Sequence, residues 1–246
     1  MAGARDLEQY AADGVLVLGG AAAILLQLAD PIVARGVAAH SAFATDPMRR
    51  LRTTLSYVYA ISLGNERQVQ RMAGLVDHAH AGVPGATDAE HQLWVAATLY
   101  RVGAEVHELT RGEISTELAD EIYVAFERLG TALQLPPGAW PADRAAFDLY
   151  WMDAVAALDV GDDARSVARQ LLHPRAIPWW TRPAMPLVRT LTSGLLPEQV
   201  RDAYGLPWHP RRYRAAVGFV RVIARVTPRR LSEMPARRLL ARIPAR

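Results

Sequence analysis

The sequence predicts an all-α protein made of a single helical domain. Apolar residues recur at helical spacing along nearly the whole chain. Alternating apolar and polar runs joined by Asn-Gly or Asp-Gly turns, the signal of a β-hairpin, do not occur. The chain has 246 residues, of which 51% are hydrophobic, so one large core can form without disulfides or metal clips.

Several predicted helices have explicit start signals. Asp30-Pro31 and Asp46-Pro47 each place an acidic N-cap before a proline at the first helical position. Asn65 caps a third helix, and Asp88 opens a fourth that runs to about residue 108. Apolar spacing predicts later helices over residues 117–129, 142–158, 162–172, 197–204 and 211–226.

Two proline-rich segments interrupt the helical pattern. They read LPPGAWP (135–141) and HPRAIPWWTRPAMP (173–186), and neither can be helix interior. Because the first contains Trp140 and the second Trp179 and Trp180, we expect loops packed over the helical core. We treat residues 1–15 as an N-terminal arm and residues 227–246 as a basic C-terminal tail.

Composition excludes several kinds of chemistry. The chain has no cysteine, which excludes thiolate catalysis, Cys-ligated zinc and iron–sulfur clusters. It also has no lysine, which excludes a Schiff base and a P-loop lysine. Motifs typical of zincins, α/β-hydrolases, Rossmann enzymes and di-iron bundles are missing as well.

The two ends of the chain differ in charge. The start carries Asp6, Glu8 and Asp13, unlike a signal peptide, so we expect a cytoplasmic location. The last 46 residues hold twelve arginines and two acids. This basic end fits a nucleic-acid or anionic-membrane partner, or else a solvated face. Nucleic acid is disfavoured because no helix-turn-helix spacing accompanies the arginines.

Two nearby histidines differ in their predicted surroundings. The helix after Asn65 carries an apolar stripe with steps of three, four and seven, and His80 lies within it. His78 lies about 200° away and should be solvated. A buried imidazole needs a partner for each ring nitrogen, so His80 is either a hydrogen-bonded core histidine or a metal ligand. The stripe residues are Val69, Met72, Val76 and Val83.

An arginine lies at the inner face of the preceding helix. Arg52 is four residues after Met48 and three before Leu55, with Arg49 and Thr53 one turn apart beside it. Arg52 either snorkels to the surface or is a fixed donor inside a pocket. One inward histidine is too few ligands for zinc, but it is the normal protein ligand of haem.

The order of several short motifs resembles the rubber-oxygenase family. That family includes the latex-clearing proteins, the endoplasmic-reticulum-bound oxygenase of mycophenolic acid biosynthesis and many uncharacterised bacterial members. The resemblance covers roughly residues 16–235. The matching elements are LLQLADP, HSAF, RRLRTT and HAGVPG followed by LWVAATL, with weaker similarity in FDLYW and SGLLPEQVRDAYGLPW.

The resemblance implies a globin-like helical core that holds a b-type haem. By that match His80, in His-x-x-Val-x-Gly, is the proximal iron ligand, and Val76 and Val83 line the cofactor. Arg52 lies on the distal side, with Arg49 and Thr53 nearby. The family's reaction is dioxygen-dependent oxidation, which includes cleavage of isoprenoid double bonds.

Two departures from the latex-clearing proteins alter these expectations. Those proteins have a lysine where Arg52 stands, and arginine cannot lose its proton to ligate iron. They are also secreted, so we do not expect polyisoprene to be the substrate of this chain. The resemblance therefore predicts a haem b oxygenase that acts on a small apolar molecule, with dioxygen and an unidentified electron donor.

Two other functions stay open at this point. One is a haem-binding sensor or carrier without turnover, which would share His80 as its ligand. The other is a haem-free helical module that binds nucleic acid or an anionic membrane through its arginine-rich end.

Overall fold

A computed structural model describes residues 2–40, 47–132, 135–174 and 177–244 of the chain. Within these ranges every regular element is helical and no strand occurs, which confirms the predicted all-α class. The α-helices are α1 (Ala2–Ala12), α2 (Gly20–Leu28), α3 (Pro31–His40), α4 (Pro47–Leu63), α5 (Glu66–His80), α6 (Ala89–Arg111), α7 (Thr116–Thr131), α8 (Arg144–Ala156), α9 (Asp162–Leu172), α10 (Met185–Leu195), α11 (Glu198–Ala203), α12 (Pro210–Val226), α13 (Arg229–Ser232) and α14 (Met234–Leu240). Two 3₁₀ segments cover Gly14–Gly19 and Trp179–Ala184.

The helix starts largely follow the predicted caps. Asn65 accepts a hydrogen bond from the Gln68 backbone N–H at 3.0 Å, and the Gln68 side chain accepts one from the Asn65 N–H, which forms a complete capping box. Asp30 accepts hydrogen bonds from the backbone at the start of α3. Asp46 and the Ser41–Phe43 part of the HSAF motif lie outside the described residues.

The core is built around the buried helix α2 and the long helix α6. Alanines and leucines of α2 are almost completely shielded from solvent, and α2 packs against α3, α6, α9 and α10. Helix α6 also packs against α7 and α12. An aromatic cluster extends the core toward α8; its rings are Trp94, Tyr100, Tyr123, Trp140, Phe147 and Trp151.

One proline-rich segment packs as predicted and the other does not. Trp140 is buried in the aromatic cluster. In contrast, the side chains of Trp179 and Trp180 are 79% and 66% exposed in the second 3₁₀ segment. The expectation that this segment covers the core is therefore wrong for its two tryptophans. Its last two residues belong to α10, because a proline is tolerated in the first turn of a helix.

Both ends of the chain form helices that pack on the same part of the domain. Helix α1 contacts α4 and α7, and α14 contacts α4. Ala236 of α14 is buried with Ala12 and Tyr59 in a small apolar cluster. The end of the chain also accepts hydrogen bonds from Gln68, whose side-chain amide donates to the carbonyls of Leu240 and Ile243.

Among the described residues no single helix is both long and apolar enough to span a membrane. The segments Arg5–Ala12 and Gly14–Leu28 reach the required length and composition only when joined, and they meet at a 45° bend.

Candidate functional site

The two neighbouring histidines differ in exposure as predicted. His80 is the last residue of α5 and its side chain is half-buried, whereas His78 is exposed. On the same helix Met72 is buried and Val76 is half-buried, so the apolar stripe does face the protein. The role of His80 as a ligand of iron stays a prediction.

The turn after His80 is held by backbone hydrogen bonds. The Val83 N–H donates to the His80 carbonyl at 2.9 Å, and the Ala86 N–H donates to the Val83 carbonyl at 3.1 Å. Gly85 has a φ of +79°, and a Cβ there would lie 2.3 Å from Ile32 Cγ2. Glycine is therefore required at this position both by its backbone conformation and by the space available.

Helix α3 approaches the same turn closely. A Cβ at Gly36 would lie 2.9 Å from Cγ1 of Val83, so only glycine lets the two segments meet at this distance. Val83 and Val37 are half-buried. His80 is thus followed in sequence by a compact apolar turn packed against α3.

A side-chain hydrogen bond that the sequence did not predict links the start of α3 to α6 next to this turn. Nδ1 of His91 and Oδ2 of Asp30 are 2.6 Å apart, and both side chains are largely buried. The other carboxylate oxygen of Asp30 accepts hydrogen bonds from the backbone N–H groups of Ile32 and Val33, at 2.8 and 3.2 Å. One carboxylate therefore caps α3 and contacts α6, the helix that begins after the segment following His80.

The predicted distal residues lie on α4 and are exposed. Arg49, Arg52 and Thr53 all have exposed side chains, and the Thr53 hydroxyl donates to the Arg49 carbonyl at 3.1 Å. The sequence left open whether Arg52 reaches the surface or enters a pocket, and in the structure it reaches the surface. At about 100° per residue, Arg52 lies on the side of α4 that carries Leu55 and Tyr59.

Helix α4 buries more than one face, which the single predicted stripe did not describe. Leu55 and Tyr59 pack against α1 and α14. Tyr57 and Ala60 belong to the main core, and the Tyr57 hydroxyl donates to the Leu129 carbonyl. The reason is that α4 has neighbours on two sides, so one apolar stripe cannot describe its contacts.

Among the cavities of the described protein are two that are lined mainly by polar residues. One, of about 390 Å³, lies at α6, α7 and α8, and the other, of about 250 Å³, lies at α1, α6 and α13. Among the described residues no cluster of three metal-ligating side chains occurs. Neither cavity is lined by the predicted site residues, which are Arg49, Arg52, Thr53, Val76, His80 and Val83.

The larger cavity contains a carboxyl group with a shifted pKa. Burial raises the pKa of Glu105 from 4.5 to about 7; the nearby Arg101 opposes this shift and Glu108 adds to it. The folded state therefore binds a proton that the unfolded chain has already released above pH 4.5. Stability attributable to this group is fully present below that pH and is lost as the pH rises to about 7.

This shift predicts the pH dependence of one substitution. We expect Glu105→Gln to remove part of the loss of stability between pH 4.5 and about 7, because glutamine carries no titrating proton. Urea unfolding at several pH values measures the effect. Glu127→Gln, at an exposed position of α7, is the control and should keep the wild-type pH dependence. An unchanged pH profile in Glu105→Gln would contradict the assigned pKa.

The chain matches one protein family over most of its length. Residues 8–225 match the family described as the ER-bound oxygenase mpaB/B′ and rubber oxygenase catalytic domain. No solved structure matches the chain.

Two curated relatives share this similarity. They are uncharacterised proteins of Mycobacterium bovis and Mycobacterium tuberculosis, each 34% identical over 227 residues. The match covers 85% of this chain and 89% of each relative. Together with the family match, it shows that this chain belongs to the mpaB and rubber oxygenase family.

Proposed function

We propose that this protein is a haem b-dependent oxygenase that oxidises a small apolar, isoprenoid-like molecule with dioxygen. The observation that carries the proposal is the half-buried imidazole of His80. It lies at the end of α5 in a His-x-x-Val-x-Gly turn, in a chain that belongs to an oxygenase family. Membership of that family supports an oxygenase that takes dioxygen and an organic substrate.

The residues around His80 fit the chemistry that haem requires of a protein. One imidazole is enough, because the porphyrin itself supplies four nitrogen ligands to the iron. The side chain of His80 is half-buried. Val76, four residues before it, and Val83, three residues after it, are apolar and also half-buried. Haem bound there would supply the redox centre that activates dioxygen with electrons from an external donor.

In this proposal the protein contributes position and electrostatics. His80 would hold the cofactor, and the backbone hydrogen bond from the Val83 N–H to the His80 carbonyl orders the turn that follows it. The guanidinium of Arg52, exposed on α4, would donate hydrogen bonds to the negative charge that develops as dioxygen is reduced. Val76 and Val83 would exclude water and provide apolar contact to the cofactor.

Substitution of Arg52 distinguishes an oxygenase from a haem carrier. With haem-loaded protein, a chemical reductant and squalene as an apolar isoprenoid probe, we expect wild type to consume dioxygen and form an oxidised product. Arg52→Ala should lower this rate about 100- to 1000-fold, the loss typical of removing one preorganised donor. Arg67→Ala, at an exposed position of α5, is the matched control and should keep the rate.

Two results would contradict this function. The first is wild-type protein that binds haem and dioxygen but forms no product with any reductant. The second is an Arg52→Ala variant that changes only the dissociation rate of dioxygen. Either would indicate a carrier or sensor that shares the cofactor without turnover.

A further inference from the structure

Helix α12 exposes an apolar stripe to solvent on a face that no other part of the described protein covers. The side chains of Phe219 and Val222 are each 56% exposed, and that of Val226 is 67% exposed. Ile223 is 46% exposed beside them. At about 3.6 residues per turn these four side chains lie on one side of the helix. The side of the helix about 110° away packs into the protein through Ala216, Val220 and Ala224.

A row of arginines borders the apolar stripe along α12. Arg211, Arg214, Arg221 and Arg225 fall on the adjoining side of the helix at the same helical spacing, and all four are exposed. Over residues 210–244 the one acidic side chain is Glu233, which is paired with Arg237 at 2.7 Å. Within the described chain none of the four arginines forms an ion pair with a carboxylate.

Other elements also expose large apolar side chains. Leu231 of α13, just after α12, is 56% exposed. The second 3₁₀ segment, which carries the exposed Trp179 and Trp180, packs against α10, and α10 also packs against α12. Tryptophan is enriched where a protein meets the interface between lipid and water.

From this arrangement we infer that α12 is a docking helix for an anionic lipid bilayer surface. A helix that lies in the plane of a bilayer buries its apolar side among acyl chains and sets its basic side against lipid phosphates. Lipid provides a partner for both rows of α12. Nucleic acid would neutralise the arginines but leave the four apolar side chains in water, and a second copy of the chain would bring like-charged arginine rows into one interface.

For an oxygenase with an apolar substrate, this surface has a direct use. Apolar molecules concentrate in bilayers, so an enzyme held at the bilayer surface meets them at high local concentration. This use rests on the proposed function, whereas lipid binding itself does not. Vesicle binding can therefore be measured on protein with or without activity.

Flotation with lipid vesicles tests the inference. We expect the full-length protein to float with vesicles of phosphatidylcholine mixed with phosphatidylglycerol, and to bind vesicles of phosphatidylcholine alone much more weakly. Phe219→Gln combined with Val222→Gln should weaken binding about tenfold or more, because two apolar side chains lose their lipid contact. Arg214→Gln combined with Arg225→Gln should weaken binding about fivefold for each arginine and reduce its salt dependence.

A matched variant separates α12 from exposed apolar residues elsewhere. Leu149 and Met152 of α8 are each 66% exposed, so Leu149→Gln with Met152→Gln removes comparable surface and should leave vesicle binding unchanged. Circular dichroism checks that every variant keeps the helical content of the wild type.

Three outcomes would overturn the inference. One is the absence of binding to either kind of vesicle. Another is a concentration-dependent dimer that the Phe219 and Val222 substitutions abolish, which would make α12 a contact between copies. The third is arginine-dependent binding to duplex DNA or RNA that those apolar substitutions leave intact.

Discussion

His80→Ala is expected to lose haem while keeping the fold. The imidazole is the one protein ligand in the proposed site, so its removal should weaken hemin affinity by about 100-fold or more. This loss is larger than the one expected from removing a residue that only hydrogen-bonds to a metal ligand. The Soret band should shift or disappear in a hemin titration. The helical content should remain, because the substitution falls at the last residue of α5.

His78→Ala provides the control for this experiment. It removes the same chemical group two residues earlier on the same helix, where the side chain is exposed. We expect its hemin affinity and Soret spectrum to equal those of the wild type. If His80→Ala binds hemin as the wild type does, or if the two variants lose it equally, the assignment of His80 is wrong.

The largest stability effect is expected from Arg111→Met. Arg111 donates to both carboxylate oxygens of Asp13, at 2.7 and 3.1 Å, and also contacts the carbonyl of Ala224. Burial would raise the pKa of Asp13, but hydrogen bonds from Arg111, Ser232 and the Val15 N–H together hold it below its ordinary value. The network joins the α1 end, α6 and the C-terminal helices, and it keeps a mostly buried carboxylate ionised.

Removal of Arg111 leaves that carboxylate without its charged partner. We expect a loss of about 3 to 5 kcal/mol in the free energy of unfolding, measured in urea. Arg144→Met is the matched control. Arg144 pairs with Asp120 at a similar distance, 2.8 Å, but the two side chains are 41% and 62% exposed. The free energy of unfolding of Arg144→Met should fall by less than about 1 kcal/mol. Equal losses of unfolding free energy in the two variants would show that the buried Asp13–Arg111 pair stabilises the fold no more than the exposed Asp120–Arg144 pair.

Local sequence signals predicted most of the helices because their causes are local. The Asn65 capping box and the Asp88 start depend on residues within one turn, and periodicity within α5 distinguished His80 from His78. The prediction for α9, residues 162–172, matches its observed bounds. The family followed from short motifs in a fixed order, which no single motif would have identified.

Long-range partners could not be predicted in this way. The Asp30–His91 pair joins residues 61 apart in sequence, and the Asp13–Arg111 pair joins residues 98 apart. Nothing in the spacing of the sequence selects these partners among the many other charged residues. The same limit explains the exposed tryptophans of the second 3₁₀ segment, since an aromatic residue in a proline-rich loop packs only where the fold offers it a neighbour.

The absorption spectrum of the purified protein, titrated with hemin, tests the central claim most directly. The account predicts a Soret band that saturates at one haem per chain, with a pyridine haemochrome spectrum of b-type haem. A colourless protein that takes up no hemin would contradict it.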